Sequence, residues 1–243
     1  MELRKKNLEL KKIGLISSYL AIVVYVVGTT AAMLAYPDYS FMNQFLSELG
    51  VRINFYSSEG WTMIKAPYPE IFNVTLILNG VLFIPFFSCT YFILKPKRII
   101  SKITQIVVSV SGLVTGVFLI CTGIFDAGMF IDPHVTSALG LYYCLIIASL
   151  LWGLGVLSLS RENVYKKSKL WIIDPIASLI GILIGVINTG LFNLDEVFIG
   201  KLTMAFYQKM LGYVFIILFG YVTVRLHLIL RKEKSDAEIV EGV

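Results

Sequence analysis

Three ionisable side chains that suit acid–base chemistry fall in short polar stretches between long apolar blocks. Asp126 and His134 lie within GIFDAGMFIDPHVTSALG, and Glu48 lies within YPDYSFMNQFLSELG. A carboxylate beside an imidazole can move a proton in general acid–base catalysis. These residues are therefore the candidate catalytic groups, with Glu48 or Asp126 as the base and His134 as the acid–base partner.

Further polar side chains that could bind a ligand are expected at the same end of the molecule: Ser47, Asn73, Asn79 and Asp132. One external histidine provides none of the ligand spacings that hold a metal ion, and the chain has no Gly-rich phosphate loop or dinucleotide fingerprint. We therefore predict no metal site and no cofactor. The alternative is that Glu48, Asp126 and His134 only hydrogen-bond across loop tips and hold them in place.

The elements that must position these residues are apolar blocks of membrane-spanning length. The 243-residue chain is 57% hydrophobic and 15% charged, whereas about a quarter of a soluble domain is charged. Blocks of about twenty apolar residues cross the hydrocarbon core as helices. Six are predicted: Ile13–Ala35, Ile71–Leu94, Ile103–Phe125, Ser137–Leu159, Leu170–Phe192 and Met210–Leu230. The predicted fold is an all-α bundle of six transmembrane helices in a single domain, residues 1–243.

The basic residues are distributed unequally between the two sides of this bundle. Sixteen of the 21 Lys and Arg residues precede the first span, follow the last one, or lie between spans two and three or four and five. The positive-inside rule then places both termini in the cytoplasm and the protein in the cell membrane as a multi-pass protein. This placement explains the net charge of +5, so we predict no nucleic-acid partner.

The first outer connection, Tyr36–Glu70, is long and patterned. Ser40 occupies an N-cap position, and Phe41, Phe45 and Leu49 recur every fourth residue. This spacing predicts a short amphipathic helix over Phe41–Leu49 that lies along the bilayer surface and covers the outer end of the bundle. The other outer connections, Asp126–Thr136 and Asn193–Lys209, are shorter, and Lys234–Val243 is expected to be a disordered tail.

Two intramembrane features concern helix packing. Asp174 and Arg225 lie at similar depth in consecutive antiparallel spans, which predicts a buried ion pair between spans five and six; the alternative is a coupling role in a transporter. Small residues recur along four spans: Gly14, Ser18, Ala21, Gly28 and Ala32; Gly112 and Gly116; Gly140, Cys144 and Ala148; Ala177, Gly181 and Gly185. Such faces allow close helix packing within the bundle or, alternatively, self-association.

Short motifs resemble one protein family. A span that ends in Pro37-Asp38-Tyr39 and leads into SELG (Ser47–Gly50) resembles the domain-of-unknown-function 998 family of prokaryotic six-span proteins. Phe72, Asn73 and Gly80 on span two, and GIF at Gly123–Phe125 before His134, fit the same pattern. Asp126 departs from it, because proline is expected there. The pattern is in turn similar to the Frag/DRAM/Sfk group, which implies six spans and an important outer face.

The family carries no activity to transfer, so three functions stay open. The leading hypothesis is a non-enzymatic or accessory membrane protein that binds membrane lipids, or another membrane protein, under its outer loops. The second is an enzyme that acts on a lipid or lipid-linked group at the outer leaflet through Glu48, Asp126 and His134. The third is a small transporter that uses Asp174 and Arg225. The sequence does not name the ligand, the partner or the oligomeric state.

Overall fold

The computed structural model describes residues 2–56, 62–94, 99–160 and 196–241, together with isolated positions between 173 and 186. Five long helices account for most of these residues. They are α1 (Glu2–Ala35), α2 (Pro69–Leu94), α3 (Ile99–Ile124), α4 (Ile131–Ser160) and α5 (Glu196–Glu241). We call the end of the bundle at which α1 finishes and α2 begins the outer end.

Each of these helices contains a segment long and apolar enough to cross a membrane: Leu8–Ala35, Pro69–Ile93, Ile99–Ile124, Ile131–Ala148 and Gln208–Arg231. Large apolar side chains such as Val27, Val81 and Val117 are exposed on them, as contact with hydrocarbon requires. The segments agree with five of the six predicted spans. The other predicted span, residues 170–192, lies outside the continuously described ranges, and so does Asp174 of the predicted ion pair.

Consecutive helices pack side by side, α1 on α2, α2 on α3 and α3 on α4, and α5 returns against α1 and α2. Small residues permit these contacts. A Cβ atom on Gly80 would lie 2.4 Å from the Gly116 carbonyl oxygen, and one on Gly112 would lie 2.1 Å from the Phe87 ring. The small-residue faces of α1 and α3 are therefore used for packing inside the bundle.

The first outer connection differs from the predicted amphipathic helix. Ser40 begins a single turn, in which the Gln44 N–H donates to the Ser40 carbonyl at 3.0 Å and the Ser40 N–H donates to Gln44 Oε1 at 2.7 Å. A short 3-10 helix then covers Leu46–Gly50. The Phe45 N–H donates to Glu48 Oε1 at 3.1 Å, and this bond caps the start of the 3-10 helix. Two short capped turns, one at Ser40 and one at Phe45, therefore replace the single predicted helix.

The rest of this connection returns to α2 through a small hairpin. Strands β1 (Phe55–Tyr56) and β2 (Thr62–Met63) pair antiparallel, with Phe55 opposite Met63. After the hairpin, the Ala66 N–H donates to the Val51 carbonyl at 2.9 Å. This bond holds the chain beside the 3-10 helix just before α2 begins.

Two helices extend beyond their predicted ends. Helix α4 begins at Ile131, so Asp132 and His134 lie in its first turns and not in the predicted loop Asp126–Thr136. Helix α5 begins at Glu196 and continues through Glu241, across part of the predicted connection Asn193–Lys209 and most of the tail expected to be disordered. Polar first and last turns carry no hydropathy signal, which is why these helices extend beyond the apolar blocks that predict spans.

Candidate functional site

The 3-10 helix Leu46–Gly50 is attached to the outer end of α2 by Asn73. The Asn73 side chain is 2% exposed, and its Nδ2 donates to the Gly50 carbonyl at 2.9 Å. Gly50 is needed here because a Cβ atom would lie 2.2 Å from Asn73 Oδ1. Asn73, predicted as a ligand-binding candidate, thus holds residues 41–50 in place. We call these residues the outer segment.

Asp126 organises the connection between α3 and α4. Its Oδ1 accepts hydrogen bonds from the backbone N–H groups of Gly128 at 2.9 Å, Met129 at 3.1 Å and Arg52 at 3.3 Å. The side chain is 1% exposed, and its Oδ2 has no hydrogen-bond partner among the described residues. Asp126 therefore links the α3–α4 turn to the first outer connection and leaves one carboxylate oxygen unused.

His134 lies in the first turns of α4, eight residues after Asp126 in the chain. Its Nδ1 is 2.7 Å from the Phe125 carbonyl oxygen. Because a carbonyl oxygen can only accept, Nδ1 carries a proton, and in the neutral ring Nε2 is then an acceptor. The Asp126 carboxylate interacts electrostatically with the ring, and His134 lines an internal cavity. The pair is thus placed where a ligand can reach the imidazole.

Glu48 occupies a different part of the outer end, next to Lys209 of α5. The Glu48 carboxylate is buried and interacts electrostatically with the Lys209 ammonium. Lys209 Nζ also donates to the backbone carbonyls of Gln44 and Ala205 and lies 5.1 Å from the centre of the Phe41 ring. Lysine is almost never fully buried unless it is paired, and here it fastens the outer segment to α5.

Two tyrosines close to Glu48 lie outside the membrane-spanning segments. Burial raises the pKa of the Tyr39 hydroxyl, and the nearby Glu48 carboxylate raises this pKa further. The same two causes, in the same order, raise the pKa of Tyr36. Both hydroxyls therefore stay protonated near neutral pH and can donate hydrogen bonds, as Tyr39 does to the Gln44 carbonyl at 3.4 Å.

A second bond to α5 comes from Gln208. Its Oε1 accepts from the Leu46 N–H at 2.7 Å. Gln208, Tyr142, Leu46 and Ser47 all line the same cavity. The 3-10 helix is thus bonded to α2 on one side and to α5 on the other, and forms part of the cavity wall.

The cavity is a long apolar space inside the bundle, with a volume of about 190 Å³. Its lining extends along α2 from Phe72 to Thr90, which corresponds to roughly 27 Å at 1.5 Å per residue. Aromatic side chains dominate the middle and inner parts, including Phe83, Phe86 and Phe219. Polar groups are most numerous in the outer half, at Ser47, Thr122, His134 and Gln208, whereas Thr90 and Tyr221 lie toward the inner end.

Asn79 lies on the cavity wall and is 1% exposed. Its Nδ2 donates to the Thr75 carbonyl at 2.9 Å, while its Oδ1 has no hydrogen-bond partner among the described residues. A buried polar atom without a partner costs about 1–3 kcal/mol. Asn79 therefore keeps one acceptor atom without a partner among the described residues.

The predicted site residues divide into several groups. Asp126 and His134 lie together, Ser47 and Asn79 line the cavity, and Glu48 is packed beside Lys209. Asp132, predicted to bind ligand, is exposed on the first turn of α4. Arg225 is buried within α5 and has an interaction partner.

Several residues of the site were missed at the sequence level. The sequence prediction places Gln208 and Lys209 in the outer connection Asn193–Lys209, and Tyr25 and Tyr142 within spans. The adjacent pair Gln208-Lys209, at the start of an apolar run, was a usable signal, because polar groups at that position need partners. Within the described ranges, His, Cys, Asp and Glu form no group of three that would hold a metal ion.

The comparison with protein families agrees with these features. A family model described as "protein of unknown function (DUF998)" matches residues 19–225, which include the outer segment, Asn73, Asp126 and His134. The chain belongs to the DUF998 family. Neither a curated protein nor a solved structure matches it. The resemblance to this family is confirmed, and the more distant similarity to the Frag/DRAM/Sfk group stays a prediction.

Proposed function

We propose that this DUF998 protein binds a membrane lipid in the cavity beneath its outer segment. The observation that carries the proposal is the shape and polarity of that cavity. It follows α2 for most of the helix, has largely apolar walls, and has more polar side chains in its outer half than in its inner half. An amphipathic molecule with a long hydrocarbon chain has the same distribution of polar and apolar groups.

The energetics favour a hydrocarbon chain in the inner part of the cavity. Phe83 and Phe219 stack with ring centres 4.8 Å apart, and Phe86 contacts Phe219 edge-on at the same distance. Water gains little in such a space because it finds few polar partners. Filling it with hydrocarbon restores dispersion contacts that an empty space lacks.

The test is to fill the cavity and measure the lipids that co-purify with the protein. Ala148 lines the cavity on α4, and Ala148→Phe should expel the hydrocarbon chain. The matched control is Ile147→Phe, because Ile147 is the adjacent residue and is 44% exposed. We expect mass spectrometry to find a lipid enriched with the native protein and the control but depleted with Ala148→Phe. If no lipid is enriched with the native protein, the proposal is wrong.

A second candidate function is catalysis on a lipid or lipid-linked group, which His134 and Asp126 favour. His134 lines the cavity, and Asp126, whose carboxylate interacts electrostatically with the ring, keeps one oxygen without a partner among the described residues. The pair could therefore move a proton to or from a bound lipid. The test is His134→Asn, assayed for turnover of the co-purified lipid and for thermal stability. Lost turnover at unchanged stability supports an enzyme, whereas lost stability alone supports a packing role.

The remaining sequence-based expectations belong to the same proposal. We place the protein in the cell membrane with six spans and both termini in the cytoplasm, as the distribution of Lys and Arg favours. The outer segment then faces away from the cytoplasm. Self-association, a protein partner, and a transport role for Asp174 and Arg225 stay predictions.

A further inference from the structure

The middle of the cavity wall contains polar side chains whose N–H or O–H groups already donate hydrogen bonds within their own helices. Only the acceptor atoms of these side chains remain for further bonds. Asn79 is held in one orientation because its Nδ2 donates to the Thr75 carbonyl at 2.9 Å. A carbonyl can only accept, so the amide cannot be flipped without losing this bond. Oδ1 is consequently the atom that lacks a partner, and it is an acceptor without a proton of its own.

Two threonines on α3 present the same kind of group. The Thr115 hydroxyl donates to the Ser111 carbonyl at 2.8 Å, and the Thr122 hydroxyl donates to the Phe118 carbonyl at 2.7 Å. Both residues line the cavity. With its only proton used in the helix, each hydroxyl oxygen keeps acceptor capacity alone.

Asn79 and Thr115 lie at the same depth in the bundle. Each immediately precedes a glycine at the α2–α3 contact, where a Cβ atom on Gly80 would lie 2.4 Å from the Gly116 carbonyl oxygen. Beyond this level the cavity continues to Thr90, roughly another 16 Å along α2 at 1.5 Å per residue. Hydrocarbon can fill this inner part while a polar group remains at Asn79.

The described cavity lining contains no Lys, Arg, Asp or Glu, and His134 is its only ionisable group apart from tyrosines. Among the described lining residues, a charged headgroup at the level of Asn79 would lose its hydration without meeting an opposite charge. A neutral donor loses far less and satisfies an atom that is otherwise unpaired. The charge of the described lining and its free acceptor atoms thus both favour a neutral ligand that can donate a hydrogen bond.

We infer that the cavity takes a neutral, hydroxyl-bearing lipid with a long hydrocarbon chain, and that its hydroxyl donates to Asn79 Oδ1. The shared chemistry is an alcohol on a hydrocarbon chain, whether the chain is straight or isoprenoid. This inference rests on the proposed function and adds the ligand class and its hydrogen-bonding residue.

The test compares four probes of equal chain length against the purified full-length protein in detergent: a straight-chain alcohol, its methyl ether, the alkane and the fatty acid anion. The ether keeps the oxygen but has no proton to donate. We expect the alcohol to bind roughly 5-fold more tightly than the ether, as one net hydrogen bond implies. A polyprenol in a fifth arm decides which type of chain is preferred.

Asn79→Leu should bring the alcohol and the ether to equal affinity, because it removes the acceptor at similar volume. The matched control is Ser88→Leu, since Ser88 lies on the exposed side of α2 and should leave the preference intact. Thr115→Val provides a second variant that weakens the preference if Asn79→Leu does not fold.

The outcomes separate the two levels of the proposal. If no probe binds, the cavity is not a lipid site and the proposed function fails. If alcohol, ether and alkane bind equally, or if the anion binds best, lipid binding stands and the inference about the hydroxyl is wrong. A preference for the alcohol that survives in Asn79→Leu overturns the role of Asn79.

Discussion

Asn73 and Asn79 lie on the same helix, and only their surroundings separate a structural amide from a binding one. Both are buried to 2% or less. Asn73 donates to the Gly50 carbonyl of the outer segment, whereas Asn79 lines the cavity and its buried Oδ1 has no partner among the described residues. The sequence predicts both as ligand-binding candidates but cannot rank them, because the partner of Asn73 comes from a different segment of the chain.

The contact between Gly50 and Asn73 gives a first prediction. Gly50→Ala should lower the free energy of unfolding by about 2 kcal/mol, because overpacking a buried contact costs roughly that amount. The new Cβ atom would lie 2.2 Å from Asn73 Oδ1, and Asn73 cannot move without breaking its bond to the Gly50 carbonyl. Thermal unfolding in detergent measures the change.

The control for this prediction is Gly220→Ala on α5. Among the described residues, a Cβ atom there would meet Ile22 Cδ1 at 3.7 Å, an ordinary van der Waals distance. Because alanine is also the better helix former, this variant should unfold no lower in temperature than the native protein. An equal loss of stability in both variants would mean that the Gly50 contact is not special.

Asp126 gives a second prediction, which separates its structural role from a catalytic one. Asp126→Ala should lower the free energy of unfolding by about 2 kcal/mol or more, because three backbone N–H groups lose their acceptor. Asp126→Asn keeps Oδ1 and should cost much less. Thermal unfolding of both variants measures the difference, and similar melting of Asp126→Ala and native protein would contradict it.

At the scale of elements, the first outer connection shows how local hydrogen bonds override a periodic pattern. The apolar spacing of Phe41, Phe45 and Leu49 predicts one helix, and Ser40 does begin a turn as expected for a cap. The Glu48 side chain, however, accepts from the Phe45 N–H and starts a new turn there. Side chains that bond to nearby backbone compete with helix continuation, and this competition is hard to see from apolar spacing alone.

The attachment of this connection to α5 gives a third prediction. Lys209→Met should increase backbone hydrogen exchange in residues 41–50, because the ammonium that bonds to the Gln44 carbonyl is removed. Hydrogen exchange followed by mass spectrometry reads this segment directly.

Lys12→Met is the matched control, because Lys12 is exposed and pairs only with nearby Glu9 at 2.8 Å. An exposed pair of this kind contributes little to stability, so exchange in residues 41–50 should stay at the native level. If Lys209→Met also leaves exchange unchanged, Gln208 and the aromatic contacts of Phe41 are sufficient to hold the segment.

The start of α4 marks the limit of hydropathy as a guide to helix ends. The apolar block begins at Ser137, but the helix begins at Ile131 and includes Asp132 and His134. The earlier start determines which of these residues belongs to the site. In the helix, His134 is turned inward and Asp132 is exposed. A loop would not have fixed either direction.

At the scale of the whole molecule, the distribution of apolar residues was sufficient to predict a helical, membrane-embedded protein. Five membrane-capable helices agree with predicted spans, because transfer of about twenty apolar residues into hydrocarbon dominates their energetics. The cavity was not predictable in this way. Its shape depends on which faces of α2, α3, α4 and α5 meet, and this is set by contacts such as Gly80 with Gly116.

The number of spans gives a fourth prediction. With six spans, reporters fused to the two termini should both be on the cytoplasmic side, as the positive-inside rule requires. A reporter inserted at residues 57–61 of the first outer connection serves as the control and should be on the opposite side. Termini on opposite sides of the membrane would instead require an odd number of spans.

The bond between Leu46 and Gln208 joins residues that are 162 positions apart in the chain. At a synthesis rate of ~5–20 residues per second, the ribosome needs roughly 10–30 s to make α5 after it has made the 3-10 helix. During that time the helix can bond to α2 through Asn73 but has neither Gln208 nor Lys209. The 3-10 helix is therefore made early but gains its last hydrogen bonds late. If synthesis ends before α5 is made, the shortened chain enters the membrane without a finished site.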